Sequence, residues 1–195
     1  PRISLEQWRS LVAVVDADYV VRPDWLSSLV GYFDDPKVGI VQCPQAHRDW
    51  EHNAFRRMCN WEYEGFFRIG MHHRNERNAI IQHGTMTMIR RRPLVDTGKW
   101  AEWCICEDAE LGLRLFQNGY LAQYVDEPMG RGLTPADFTA YKSQRFRWAF
   151  GAMQILRTHW RWLTRPGPLT WGQRYHFLTG WFSWFADALH LVFTW

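Results

Sequence analysis

Apolar positions in this chain fall into runs and stripes separated by polar breaks. Leu11 to Val15 form an unbroken run that stops at Asp16-Ala17-Asp18. A continuous Leu/Val run fits a strand covered on both faces, as in a parallel sheet. After Pro23-Asp24, residues Trp25, Leu26, Leu29, Val30 and Phe33 recur at helical spacing, and Asp34-Asp35-Pro36 stops that helix. Val38 to Cys43 reads as a second strand. A long amphipathic helix is predicted from Asp49 to Gly70, with Trp50, Phe55, Met58, Glu62, Phe66 and Ile69 on one stripe. Residues 74–78 read as a polar loop. Ala79 to Ile81 and Met86 to Arg90 read as extended, with Gly84 at the turn. Glu107 to Asn118 is predicted helical, and Asn118-Gly119 is its stop. Tyr120 to Val125 reads as a short strand. Thr134-Pro135-Ala136-Asp137 opens a helix to about Thr158, Pro166-Gly167-Pro168 breaks the chain, and an aromatic helix starts near Thr170. Strands alternating with helices predict an α/β fold.

The 195 residues suffice for one domain with a sizeable core. Thirteen tryptophans exceed what such a core needs. Indoles suit sugar faces and membrane interfaces, where one side is apolar and the other wet. A net charge of +3 speaks against a nucleic-acid partner. Local basic clusters at 90–92 and 142–165 can meet phosphate or anionic headgroups. Cys43, Cys59, Cys104 and Cys106 give no zinc half-site and read as reduced thiols of a cytosol-facing domain. His47, His52, His72 and His73 read as surface or satisfied histidines rather than ligands. The tail from Leu178 to Trp195 is nearly apolar but broken by Asp187 and His190, and the pattern stops mid-course. The chain is therefore expected to be a fragment with both ends missing.

Three constellations can carry chemistry. Asp16 and Asp18 lie two apart at a strand end and point the same way, so both carboxylates can meet one hard cation such as Mg²⁺ or Mn²⁺. Taken alone, they also fit a solvated turn. Glu107-Asp108 opens a helix, where acidic residues are ordinary; there one can also serve as a general base, provided burial or a neighbouring carboxylate restores its pKa. Gln144, Arg147 and Trp148 share one helix face and offer an amide, a guanidinium and an indole, for sugar hydroxyls, phosphate and a sugar ring respectively. The same residues fit core packing with solvated arginines.

In order and spacing, these motifs resemble inverting family 2 glycosyltransferases of the processive membrane type, such as bacterial cellulose synthase. That family carries D-x-D, T-E-D and Q-x-x-R-W; here they stand as Asp16-Ala17-Asp18, Cys106-Glu107-Asp108 and Gln144-Arg145-Phe146-Arg147-Trp148. Cys106 departs from the pattern by replacing Thr. Gln82-His83-Gly84-Thr85-Met86 lies where cellulose synthases carry a turn beside the acceptor. The stretch Asn75 to Met86 is more similar to cyclic or periplasmic β-glucan synthases (the NdvB-like group).

The resemblance implies a partial GT-A (Rossmann-like) domain whose first half precedes Pro1, followed by amphipathic membrane-interface helices. Residues 1–135 would be the C-terminal part of that domain. Residues 136–165 would be the Gln-x-x-Arg-Trp helix and interfacial segment, and 166–195 an aromatic interfacial helix or the start of a transmembrane region. Trp160, Trp162, Trp171, Trp181 and Trp184 would be interface anchors. Asp108, with Glu107, would be catalytic. Asp16, Asp18 and Arg147 would bind the donor diphosphate, with Asp16 and Asp18 holding Mg²⁺ (or Mn²⁺). His83, Gly84, Thr85, Gln144 and Trp148 would bind the acceptor. The implied partners are UDP-glucose, a growing glucan chain and the lipid bilayer, and the implied place is the bacterial inner membrane with the catalytic domain facing the cytoplasm. The alternatives are a non-processive relative acting on a lipid and a non-catalytic sugar- or membrane-binding module.

Overall fold

A computed structural model describes residues 10–180. Its main sheet has four strands: β1 (Leu11–Val14), β3 (Val38–Gln42), β5 (Thr87–Arg90) and β6 (Leu121–Tyr124). They lie in the order β1-β5-β3-β6; β5 runs antiparallel to both neighbours, and β3 runs parallel to β6. A second sheet, in the order β2-β7-β4, joins β2 (Val20–Val21), β4 (Ala46–His47) and β7 (Gly130–Gly132). The helices are α1 (Trp25–Leu29), α2 (Ala54–Gly65), α3 (His72–Glu76), α4 (Arg91–Asp96), α5 (Glu107–Gln117), α6 (Phe138–Thr164) and α7 (Trp171–Gly180).

Alternation along the strands sorts the core into two layers. Ile40 and Ile89 face one cluster with Leu111, Leu115, Phe116 and Phe177. Val41 and Met88 face the other with Trp25, Leu29 and Phe33. Every residue of β3 is buried, as its apolar run predicts. β1 differs from its prediction. It pairs only with β5 among the described residues, and Ala13 and Val15 are exposed.

The long helix after Asn53 also departs from its predicted stripe. Asn53 caps it by accepting from Arg56 N at 3.1 Å. Its buried side is Cys59, Asn60, Tyr63, Phe67 and Met71, whereas Met58 and Ile69 are 66% and 64% exposed. A π-helical turn, Phe66–Met71, joins α2 to α3. That wider turn rotates the later residues relative to a uniform helix, so one straight stripe cannot describe both halves.

Residues 74–78, expected as a loop, are helical to Glu76. Two of their side chains bond to the sheet. Asn75 Oδ1 accepts from Tyr124 N at 2.9 Å, and Asn78 Oδ1 accepts from Ala122 N at 2.8 Å. These are backbone donors of β6 on its side away from β3. Segment 79–83 is not a strand.

Helix α5 starts with Glu107, Asp108 and Glu110 in its first turn, which complements the helix dipole. It ends before Gly119, whose φ of +80° suits a left-handed stop. Helix α6 starts one turn later than predicted, where Asp137 accepts from Ala140 N at 2.8 Å, and it runs to Thr164. No described helix is long and apolar enough to cross a membrane. Of the expected interface tryptophans, Trp160 and Trp171 are 53% and 81% exposed. Trp162 instead stacks on His159, with ring centroids 4.1 Å apart. Trp181 and Trp184 lie outside the described residues.

Candidate active site

Gln42 organises the centre of the site. It is fully buried on β3; its Nε2 donates to Thr85 O at 2.9 Å and Cys43 O at 3.0 Å, and its Oε1 accepts from His83 N at 3.0 Å. One amide thus holds the segment 83–85 against the sheet. The next residue, Met86, sits at φ +53°, an unfavourable left-handed conformation for a bulky side chain. Nothing in the sequence singled out Gln42 beyond its being a polar residue inside a strand run.

The acidic turn and the acidic helix meet at this segment. Thr85 Oγ1 accepts from Asp16 N at 2.9 Å. The adjacent Gly84 N–H donates to the Asp108 carboxylate. A Cβ on Gly84 would lie 3.2 Å from Asp108 Oδ2, so glycine permits this approach. Asp108 also accepts from Ala109 N at 2.7 Å. Burial, seconded by the like charge of Glu107, pushes its pKa up from 3.8 to about 6. The Asp16 carboxyl is also held above its ordinary value, first by desolvation and then by the charges of Asp18 and Glu107. Two segments far apart in sequence therefore place their carboxylates within electrostatic reach, with segment 83–85 between them.

The small sheet fixes Asp18. Its Oδ2 accepts from Leu133 N at 2.9 Å, and its carbonyl accepts from Arg48 Nη2 at 2.8 Å. Tyr19 lies against Gly132, where a Cβ would come within 2.2 Å of its ring. Among the described residues no group of three or more His, Cys, Asp or Glu side chains is disposed to hold a metal ion. Asp16 and Asp18 nevertheless fit a hard cation that takes its other ligands from phosphate and water, since their mutual repulsion is what a cation relieves.

Helix α6 closes the other side. Trp148 meets the Tyr63 ring edge-on at 5.9 Å, and Gln144 hydrogen-bonds the Tyr63 hydroxyl, whose pKa burial pushes up to about 12. Arg147 is exposed. Arg145, which the sequence offered only as a solvated cation, is 11% exposed and lies over Trp148 at 4.2 Å and Tyr141 at 4.5 Å. It also pairs with Glu62 at 2.5 Å. Its guanidinium braces the Trp148 ring. The charged Glu62 that interrupted the predicted apolar stripe of α2 was the available signal for this partner.

His83 and Thr85 are turned inward. The His83 ring packs on Phe66 and Phe67, each 5.1 Å away, and burial lowers its pKa to about 4. It is therefore neutral at pH 7. Thr85 is 2% exposed, with its hydroxyl engaged by Asp16 N. Thr85 thus supports the acidic turn from behind.

Cys106 joins the acidic helix to α6. Its thiol donates to Arg147 O at 3.7 Å. A Cβ on Gly151 would lie 2.4 Å from that sulfur, so the two helices approach here only because residue 151 is glycine. Burial pushes the thiol up to about 12, which keeps it a protonated donor.

The family profile described as Glycosyl transferase family group 2 matches residues 11–195. The chain belongs to that family. Among curated family 2 relatives, it is 33% identical over 188 residues to the cellulose synthase catalytic subunit (UDP-forming) of Pseudomonas fluorescens strain SBW25, which covers 93% of this chain and 25% of the relative. It is 30% identical over 153 residues to the protein of the same name from Xanthomonas axonopodis pv. citri strain 306, covering 75% of this chain and 21% of the relative. It is 26% identical over 189 residues to cellulose synthase 1 of Komagataeibacter xylinus, covering 93% and 12%. The chain thus spans a quarter or less of the length of these relatives. A mannosyltransferase of Pyrobaculum calidifontis, solved with GDP-Man and Mn²⁺, shares the fold at a TM-score of 0.62 and 18% identity, over 89% of this chain and 44% of that one. The α/β architecture is therefore that of a GT-A glycosyltransferase domain.

Proposed function

We propose that this chain is the core of an inverting glycosyltransferase that moves glucose from UDP-glucose to the end of a growing β-glucan, with export of the polymer. The observation that carries this reading is the environment of Asp108. Its carboxylate is partly buried, accepts hydrogen bonds from backbone amides, and lies beside the Asp16-Ala17-Asp18 turn. A carboxylate with a pKa of about 6 is ionised at pH 7 and basic enough to take a proton as it is released.

In this mechanism Asp16 and Asp18 would hold Mg²⁺ or Mn²⁺ at the donor site, where the cation would supply positive charge to the leaving diphosphate. Arg147 adds a guanidinium to the diphosphate. Trp148 and Gln144 hold the terminal sugar of the acceptor, and His83, Gly84 and Thr85 form the wall behind it. Asp108 takes the proton of the acceptor hydroxyl as that oxygen bonds to the anomeric carbon. The bond from that carbon to the UDP oxygen breaks, and its electron pair leaves with UDP. Attack from the opposite side turns an α donor into a β product, and positioning supplies much of the acceleration.

Kinship with the UDP-forming cellulose synthases supports the donor, and the stretch Asn75 to Met86 supports a cyclic or periplasmic glucan as product. Exposed Trp160 and Trp171 support a bilayer surface beside α6 and α7. The proposed place is the inner membrane, with this domain facing the cytoplasm.

The test is direct. Full-length protein in membranes, given UDP-glucose and Mg²⁺, is expected to release UDP and to make glucan, and chelation is expected to stop both. Failure to release UDP with metal present ends the reading; UDP release without polymer ends the polymerase part of it.

A further inference from the structure

We infer that Gln154 and His159 are positioning residues for this site, and that through them helix α6 sets the place of Asp108. The inference rests on the reading of Asp108 as the base. Neither residue is among those proposed to meet donor or acceptor.

The two side chains grip the chain on either side of Asp108. Before it, Gln154 Oε1 accepts from Ile105 N at 3.0 Å and Gln154 Nε2 donates to Trp103 O at 2.8 Å. One amide thus clamps the backbone three and five residues ahead of Asp108. After it, His159 Nε2 meets Glu110 Oε1 at 2.8 Å. A carboxylate only accepts, so His159 donates through Nε2. Arg114 Nε holds both Glu110 oxygens at 2.8 and 2.7 Å, and its other nitrogens donate to the carbonyls of Thr97 and Lys99. Glu110 is 1% exposed and His159 7%. Helix α6 departs from helical geometry at His159, with φ −104° and ψ 15°. The departure occurs where the ring enters the Glu110 bond.

Packing fixes this spacing only in part: Ala152, Ile155 and Leu163 of α6 share a buried cluster with Leu111 and Leu115 of α5, but the contact is not continuous. A cavity of about 430 Å³ lies between the loop before α5 and the end of α6, with Trp100, Trp103, Glu110 and His159 in its wall. Beside this hollow, the Gln154 and His159 hydrogen bonds add to the apolar contact in holding the loop and the helix in place. Gly151, Gln154 and His159 follow one another on the face of α6 turned to Cys106 and α5. The same helix carries Gln144 and Trp148. The seam therefore couples the sugar-holding face to the base, and a displacement of about 1 Å at such a site costs about a hundredfold in rate.

The test uses full-length protein in membranes with UDP-glucose and Mg²⁺. Gln154→Met keeps the volume and removes both bonds, His159→Leu removes the donor to Glu110, and His159→Gln keeps a donor there. Expected are a kcat at least tenfold lower for Q154M and H159L, a donor KM within twofold of wild type, and recovery of most of kcat in H159Q. The inference is overturned if Q154M keeps kcat within twofold, if H159Q falls as far as H159L, or if donor KM rises in step with the loss of kcat. Should H159L not fold, Q154M and H159Q decide alone. Asp108→Asn separates the two readings. An inactive D108N beside a normal Q154M removes only the seam; a normal D108N removes the base and the seam with it.

Discussion

Asp108 and Glu110 stand two residues apart on one helix and live in opposite surroundings. Asp108 accepts from backbone amides, and its pKa is pushed up to about 6. Glu110 is more deeply buried, yet both its oxygens are engaged by Arg114 and one also by His159. A carboxylate held by a guanidinium and an imidazole N–H is part of the scaffold. One left with amides and a like-charged neighbour holds its proton more tightly than usual and is available to exchange it. Helical geometry makes the difference, because positions two apart point to different sides of α5.

Substitution at each position is the strongest way to break this contrast. Asp108→Asn is expected to lower turnover by about 10²–10⁴-fold, the range of a general base, while melting no lower than wild type at pH 7 and keeping its affinity for UDP. Equal loss of stability and rate would erase the distinction. Glu110→Ala should instead cost about 3–5 kcal/mol in urea unfolding, since it strands Arg114 and His159 without their anion.

Titration sharpens the same contrast. With Asp108 as the base, kcat/KM should fall about tenfold per pH unit below about 6. Stability runs the other way. The folded state binds this proton more tightly than the unfolded chain, so the contribution of Asp108 favours folding at low pH and is lost as pH rises from about 4 through about 6. Activity and stability should cross in that window, and D108N should flatten both curves. The smallest expected effect belongs to Gly84→Ala. Its Cβ would press on Asp108 Oδ2 at 3.2 Å, which predicts a few-fold loss of kcat with little change in unfolding.

Much of this was legible in the letters, for physical reasons. Strand β3 and helix α5 announce themselves because a buried apolar run and an acid-opened, glycine-stopped helix are local patterns. The three acidic and aromatic motifs were legible as candidates for chemistry, and the fold places Asp16 and Asp108 on adjacent residues of segment 83–85. What stayed hidden depends on contacts far apart in sequence. The π-helical turn after Gly65 changes which residues of the long helix face inward, and no period of 3.6 can show that. Arg145 looks like any surface arginine until Glu62 and Tyr63, some eighty residues earlier in the chain, are seen against it. Strand β1 reads as buried from its composition, but burial depends on neighbours, and its described ones cover it only in part.

Among the described residues, Asn75 and Asn78 occupy the flank of β6 where another polypeptide would otherwise dock by main-chain pairing. Two side-chain amides thus close that border to intruding strands, guarding the domain against edge-to-edge aggregation at no cost in added sheet. Exchanging both for alanine would bare two donors in a row and turn a sealed margin into a template.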